Sequence, residues 1–113
     1  MGGSMLFKFK SQAASDLIML EADARKLLKI MLGDDPVKGI VLVQDIPRCI
    51  SALHEAVLLD EAARQRQAEK AADQGDDSDG VVLDAVRLSQ RATPMLKLLE
   101  RSLGESSDVV WGV

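Results

Sequence analysis

The longest apolar stripe in the sequence lies between residues 85 and 103. Apolar side chains recur there at the three- and four-residue spacing of an amphipathic helix, at Ala85, Leu88, Ala92, Met95, Leu96, Leu99 and Leu103. Pro94 lies within this stripe, where a proline removes a backbone donor. The apolar positions keep one phase on both sides of Pro94, which favours a single kinked helix over a second helix capped by Thr93. We expect the helix to start within residues 81–84.

Two further helices are predicted earlier in the chain. The first covers residues 21–32, with Gly33 as its C-cap and an apolar face of Ala24, Leu27, Leu28 and Met31. The second opens behind Asp45 as N-cap, and its face comprises Ile46, Cys49, Ile50, Leu53, Ala56 and Val57. Helix propensity extends it to about residue 72. Charged residues interrupt the apolar face after Leu59, so we expect the extension to be exposed or frayed.

Alternating apolar and polar residues predict strands near both ends of the chain. Residues 5–10 place Phe7 and Phe9 on one side, and residues 16–20 follow after a small polar turn as the second strand of an antiparallel hairpin. Residues 108–113 form the last predicted strand, which would tie down both ends by pairing beside the first. Residues 39–43 are either an extra edge strand or an extended connector. The predicted fold is α+β, a small antiparallel sheet covered on one face by three α-helices.

Length and composition narrow this picture. The 113 residues fit one domain, which we place at residues 5–113, with a mobile acidic linker at about 73–80. Residues 1–4 are expected to be the remnant of an expression tag. The net charge of −4 argues against nucleic-acid binding and against an anionic membrane surface. No apolar run reaches the roughly 20 residues of a membrane helix. The single cysteine fits a reducing compartment, so we expect a cytoplasmic protein.

Few residues could support catalysis or metal binding. His54 is the only histidine, and Cys49 lies five residues before it, a spacing that does not bring two side chains together on a helix. Cys49 belongs to the predicted core face, where it would act as a small buried hydrophobe. One histidine and one cysteine cannot form a structural zinc centre, and the acidic linker lacks both end ligands of a calcium loop. We therefore expect no catalytic residue, no metal and no cofactor.

One surface remains as a candidate for interaction. On the helical wheel, Leu98 falls on the outer side of the long helix, and an exposed apolar residue among arginines is typical of interfaces. The candidate surface comprises Arg87, Arg91, Pro94, Leu98, Arg101 and Trp111. The alternative is that Leu98 packs under the second strand or the second helix, while the arginines are merely solvated. Trp111 either covers an edge of the core or lies at a dimer contact.

The scarcity of acid, base and nucleophile candidates favours a non-enzymatic binding or protein-interaction module. It would act as a homo-oligomer, such as a homodimer, or with a protein partner, through this helix face or a sheet edge. The alternative is a small enzyme or ligand-binding domain whose cleft is lined by Lys8, Lys10 and Arg91.

Several short segments resemble a known family. They are LFKFK with DLIML near the start, KGIVL at residues 38–42, QRATP at residues 90–94 and the closing VVWGV. The chain resembles the DUF1840 family, small bacterial proteins of unknown function. The resemblance covers nearly the whole chain and implies a compact, cytoplasmic bacterial protein, with residues 73–80 as a variable linker. It transfers no activity, cofactor or catalytic residue.

Overall fold

The computed structural model describes residues 6–74 and 87–112. The strands are β1 (Leu6–Ser11), β2 (Ala14–Leu20), β3 (Gly39–Val41) and β4 (Val109–Trp111), and the helices are α1 (Glu21–Leu32), α2 (Ile46–Gln74) and α3 (Leu88–Gly104). A 3-10 turn, Val43–Asp45, leads into α2. The fold is α+β with three α-helices, as predicted. The predicted linker lies outside the described residues from residue 75 onwards.

The four strands form an antiparallel sheet in the order β2-β1-β4-β3. The predicted hairpin of β1 and β2 is confirmed, and so is the position of the C-terminal strand beside the N-terminal one. The sheet has one strand more than the three predicted. Residues 39–41 pair with β4, so the segment left open between edge strand and connector contains an edge strand.

Trp111 holds β4 in place between β1 and β3. Its side chain is buried, and its ring centroid lies 5.7 Å from that of Phe9 on β1. On the other side, its Nε1–H donates to the carbonyl of Pro36 at 3.0 Å, and Gly39 on β3 lies opposite it in register. Trp111 therefore contacts both neighbouring strands of β4 and belongs to the core, which is one of the two positions that the sequence allows.

The three helices pack against the face of the sheet that carries Phe7 and Phe9. Helix α1 has the predicted bounds, and Gly33 ends it in a left-handed conformation with φ of 80°, its N–H donating to the carbonyl of Lys29. On α2, the predicted apolar face is confirmed as buried or half-buried. One core cluster thus joins strand and helix residues: Phe7, Phe9, Ala24, Leu27, Leu28, Met31, Val41, Ile46, Cys49, Leu53, Leu88, Ala92, Met95, Leu98, Leu99, Val109 and Trp111.

Helix α3 runs through Pro94 without interruption, which confirms one helix rather than two. Its predicted start within residues 81–84 is wrong. Arg87 has extended backbone angles, φ −65° and ψ 146°, and the helix begins at Leu88. The backbone N–H of Leu88 donates to Asp60 of α2 at 3.1 Å. The first turn is therefore held by Asp60, which lies far away in sequence, and by Gln90, whose Oε1 accepts from the N–H of Arg87 at 3.3 Å. Ala85 of the predicted stripe lies outside the described residues.

The buried face of α3 is rotated relative to the predicted stripe. Leu98 is only 4% exposed, so its predicted outward placement is wrong, whereas Leu103 is 37% exposed and lies outside the core. Ser102 is fully buried. Its hydroxyl donates to the carbonyl of Leu98 at 2.7 Å and lies 2.7 Å from the hydroxyl of Ser11, so its polar atom is satisfied. Leu98 thus packs near β2, as in the alternative that the sequence leaves open.

The first prediction concerns the contact beneath Trp111. A Cβ added at Gly39 would lie 2.6 Å from the Cζ2 atom of Trp111, closer than carbon atoms pack. We expect Gly39→Ala to lower the free energy of unfolding by about 1–3 kcal/mol, as overpacked cores do. Gly104→Ala is the matched control, because no heavy atom lies within 4 Å of its added Cβ. Urea unfolding measures both, and equal stabilities for the two variants would contradict the contact.

The second prediction tests the rotation of α3. Leu98→Ala removes a buried side chain, and we expect it to lower the free energy of unfolding by about 2–5 kcal/mol. Leu103→Ala on the same helix should change it by less than about 1 kcal/mol, because the side chain is partly solvated. Leu98→Asp would bury a charge and unfold the protein. Chemical unfolding of both alanine variants measures the two changes. A larger loss of unfolding free energy for Leu103→Ala than for Leu98→Ala would show that the buried face is the one predicted from the sequence.

Candidate interaction surfaces

The residues of the predicted interaction surface do not form one exposed surface in the structure. Leu98 and Trp111 lie in the core, so neither is exposed to a partner in the folded chain. Pro94 and Arg101 are exposed and border the same groove beside β2. A helical wheel could not predict that Leu98 is buried, because it shows which residues of α3 share a face but not which face packs against β2.

Arg87 and Arg91 pair with acidic residues of neighbouring helices. The guanidinium of Arg87 donates to Glu61 of α2, and that of Arg91 contacts the carboxylate of Asp23 on α1. The Nε atom of Arg91 is buried and has no hydrogen-bond partner in the described part of the chain. Both arginines therefore join α3 to the other helices, and this structural use accounts for their position without a ligand.

Asp60 connects α2 to the beginning of α3. One carboxylate oxygen, Oδ2, accepts from Arg64 Nε at 2.8 Å and from the backbone N–H of Leu88 at 3.1 Å. Burial acts to raise the pKa of Asp60, but the hydrogen bonds from Arg64 and Leu88 outweigh it and hold that pKa below its usual range. The favourable spacing of Asp60 and Arg64 was visible in the sequence. The contact between Asp60 and Leu88 was not visible in the sequence. The only sign of it was an acidic residue that interrupts the apolar face of α2.

The third prediction follows from this carboxylate. Because its pKa is lowered on folding, Asp60 stabilises the protein above its unfolded pKa of about 3.9, and the contribution is lost as pH falls through the lower folded pKa. We expect Asp60→Ala to cost about 1–3 kcal/mol at pH 7, since it leaves the N–H of Leu88 unpaired. The cost should shrink below pH 4. Glu100→Gln, on the exposed side of α3, is the control, and a pH-independent cost for Asp60→Ala would contradict this role.

The predicted cleft of Lys8, Lys10 and Arg91 is not formed. Lys8 and Lys10 alternate along β1 with the buried Phe7 and Phe9, so they lie on the face of the sheet away from the helices. Arg91 lies on the helix side, against α1. The sheet itself separates the lysines from the arginine. The cleft proposed for a small enzyme or ligand-binding domain is therefore absent from these three residues.

Cys49 and His54 likewise form no pair. Cys49 is buried, its Sγ lies 3.8 Å from the carbonyl of Met31, and burial raises the pKa of its thiol. His54 is exposed on another side of α2. Over residues 6–74 and 87–112, no group of three or more histidine, cysteine and acidic side chains is placed to hold a metal ion. Over the same ranges, none of the helices combines the length and apolar character needed to cross a membrane.

The sheet presents an unusual surface on the side away from the helices, which we call the outer sheet face. β1 contributes Leu6, Lys8 and Lys10; β2 contributes Asp16, Ile18 and Leu20; β3 and β4 contribute Ile40 and Val110. Five of these eight residues are apolar. The four largest, Leu6, Ile18, Leu20 and Ile40, are each 50–60% exposed. A solvated face of an antiparallel sheet normally carries polar residues, so this face is a candidate for contact with another molecule.

A second surface lies along the free edge of β2. A groove of about 230 Å³ separates residues 14–17 of β2 from four residues of α3: Pro94, Lys97, Leu98 and Arg101. We call it the β2–α3 groove. It includes three residues of the predicted interaction surface and the kind of sheet edge that the sequence suggested. Leu98 lies deepest, and Lys97 and Arg101 lie exposed at its rim.

The residues in the sequence segments noted above have packing roles. Gly39 gives room to Trp111, and Gly112, with φ of 80°, allows the chain to pass Lys38, whose Cβ would lie 2.5 Å from a Cβ at residue 112. Ala92 is buried in the core. The fold therefore explains why these residues occupy these positions.

Comparison with known proteins assigns a family but no activity. Residues 5–111 match the family described as "Domain of unknown function (DUF1840)". This range contains all seven helices and strands that the structure describes. No curated protein and no solved structure matches the chain.

Proposed function

The chain belongs to the DUF1840 family, and we propose that it is a non-enzymatic protein-interaction module that docks a partner on the outer sheet face. The observation that supports this proposal is the exposure of Leu6, Ile18, Leu20 and Ile40 on one side of the sheet. Leaving such side chains in water costs free energy that a partner would recover, at about 25 cal/mol per Å² of apolar area covered. Isolated exposed apolar residues are ordinary, but Leu6, Ile18 and Leu20 form one group on the hairpin, with Ile40 and Val110 beyond the two lysines, and a group of this kind is typical of an interface.

The size of the outer sheet face indicates what could cover it. Four strands about 4.8 Å apart span about 19 Å, but β3 and β4 have only three residues each, so the face has a projected area of about 300 Å². A stable dimer of standard size buries about 800 Å² on each partner. The face therefore suits one amphipathic helix of a larger protein, whose width is about 10 Å, better than a second sheet.

The charges on the face point to the chemistry of this partner. Lys8 and Lys10 lie between the apolar residues. Asp16 is the one carboxylate among the eight residues, and Asp108 borders the face near Lys10, although the whole chain has a net charge of −4. Two copies packed face to face would bring their lysines together, which is unfavourable. A helix with an apolar stripe flanked by acidic residues would satisfy both the apolar and the cationic positions.

We place this activity in the bacterial cytoplasm that the family resemblance implies. The support is chemical: Cys49, the only cysteine of the chain, is a free thiol enclosed in the core. Such a thiol needs no oxidising environment and is shielded from exchange with other thiols.

The fourth prediction tests the docking surface in the cell of origin. A photo-crosslinking amino acid replaces Ile18 or Ile40 on the outer sheet face, and in control proteins it replaces the exposed Lys29 of α1 or Glu100 of α3. We expect a discrete protein adduct from Ile18 and Ile40 and none from the two controls. Mass spectrometry then identifies the adduct, and Lys8→Glu with Lys10→Glu should reduce its yield several-fold.

Two results would overturn the proposal. Absence of adducts from Ile18 and Ile40, or equal labelling from all four positions, would mean that the outer sheet face contacts no specific protein. An adduct whose mass equals two copies of the chain would assign the face to self-association and reject the acidic helix as its occupant.

A further inference from the structure

We infer that the β2–α3 groove binds an extended, acidic segment of a partner protein, which pairs with β2 as a fifth strand of the sheet. This surface differs from the outer sheet face, because the groove lies between β2 and α3 whereas the other surface lies on the side of the sheet away from the helices; the two share only Asp16. The inference rests on the edge, on the apolar floor of the groove and on two cations at its rim.

The two edges of the sheet differ in how they are protected against pairing. β3 is three residues long, and Pro36 and Lys38 lie just before it. β2 is seven residues long, contains neither proline nor lysine, and carries the run Leu17, Ile18, Met19 and Leu20. Natural proteins shorten their free edges or protect them with lysine and proline, because an open edge pairs with other chains. In the described part of the chain, no strand pairs with the free side of β2.

The floor of the groove is apolar and incompletely covered. Leu17 lines the groove, pairs with the buried Phe9 in the hairpin and so faces the helices, yet it is only half-buried. Met19 lies farther along the same edge, outside the groove lining, and is also half-buried. No described strand lies beyond β2 to complete their burial. A strand added to this edge would cover both side chains and would place its own alternate side chains against Leu98 and Pro94 of α3.

The rim of the groove carries charge that the fold does not use. Lys97 and Arg101 lie one helical turn apart on α3, on the side facing residues 14–17. Neither makes an ion pair in the described part of the chain, whereas Arg87 and Arg91 on the same helix both do. The groove holds one carboxylate, that of Asp16, against these two cations. A segment with acidic side chains is therefore the occupant that this charge favours.

The fifth prediction uses a library of random decapeptides displayed on phage and selected on the full chain. We expect the selected peptides to carry aspartate or glutamate among β-branched or aromatic residues. Synthetic copies should bind the chain with an affinity that falls as salt rises. N-methylation along a selected peptide should abolish binding at every second residue only, because alternate N–H groups of an added strand point towards β2.

Charge-reversal variants distinguish peptide binding in the groove from a general electrostatic attraction between the peptide and the chain. Lys97→Glu with Arg101→Glu should weaken a selected peptide at least tenfold, and a peptide with its acidic residues changed to lysine should regain binding to that variant. Arg66→Glu with Lys70→Glu is the matched control, because these exposed residues have the same spacing on α2 and the same change in charge. The control should bind within about twofold of the unchanged chain, and circular dichroism should show that all proteins keep their helix content.

Several results would overturn this inference. The selection could yield no binding peptide, or it could yield peptides that lack acidic residues or that bind as helices. Equal loss of peptide affinity in the groove variant and in the control variant would also contradict the inference. A chain that sediments as a dimer, and becomes a monomer on reversal of Lys97 and Arg101, would assign the edge to a second copy and reject the acidic segment.

Discussion

The burial of Trp111 is the contact on which the sheet depends. β4 is three residues long and could not hold two neighbours by backbone hydrogen bonds alone. Its tryptophan packs on Phe9 of β1, lies over Gly39 of β3, and donates a hydrogen bond to Pro36. One large side chain thus joins the N-terminal hairpin, the loop after α1 and the end of the chain. With β4 in the middle, β2 becomes one edge of the sheet and β3 the other.

This arrangement leaves the protein with two unlike sides. All three helices lie on the face of Phe7 and Phe9, where Arg87, Arg91 and Asp60 connect α3 to its neighbours. The outer sheet face and the β2–α3 groove keep exposed apolar side chains, together with lysine and arginine residues that pair with nothing described. One surface lies on the side of the sheet away from the helices, and the other lies between β2 and α3. These two surfaces are therefore the candidates for contact with another molecule.

The sequence predicted the parts of the fold that local signals determine. α1 has a complete apolar face, acidic residues at its start and Gly33 at its end, so both bounds could be predicted. The hairpin and the position of β4 followed from alternation. The start of α3 was predicted too early, because one partner of its first turn is Asp60, 28 residues before Leu88, and the local contact between Arg87 and Gln90 was not recognised. Which side of α3 is buried was also undecidable, because leucines at 96, 98, 99 and 103 allow two rotations of the wheel.

The candidate surfaces were only partly visible beforehand. A free sheet edge, Pro94 and Arg101 were predicted, but the exposed face of the hairpin was not. The run Leu17, Ile18, Met19 and Leu20 is apolar on both sides, so its periodicity cannot show which side faces water. That choice depends on where the helices pack, which is a property of the whole fold.

The β2–α3 groove can accept an added strand only if β2 is an open edge in the isolated chain. Amide hydrogen exchange followed by NMR at low protein concentration tests it most directly. We expect protection of consecutive amides at Phe9 and Lys10, where β1 lies in register with β4 as well as in the hairpin, and protection at alternate residues only along β2, with about 100-fold or greater differences between adjacent amides. Continuous protection along β2 would show that the edge is already covered and would rule out the addition of a strand there.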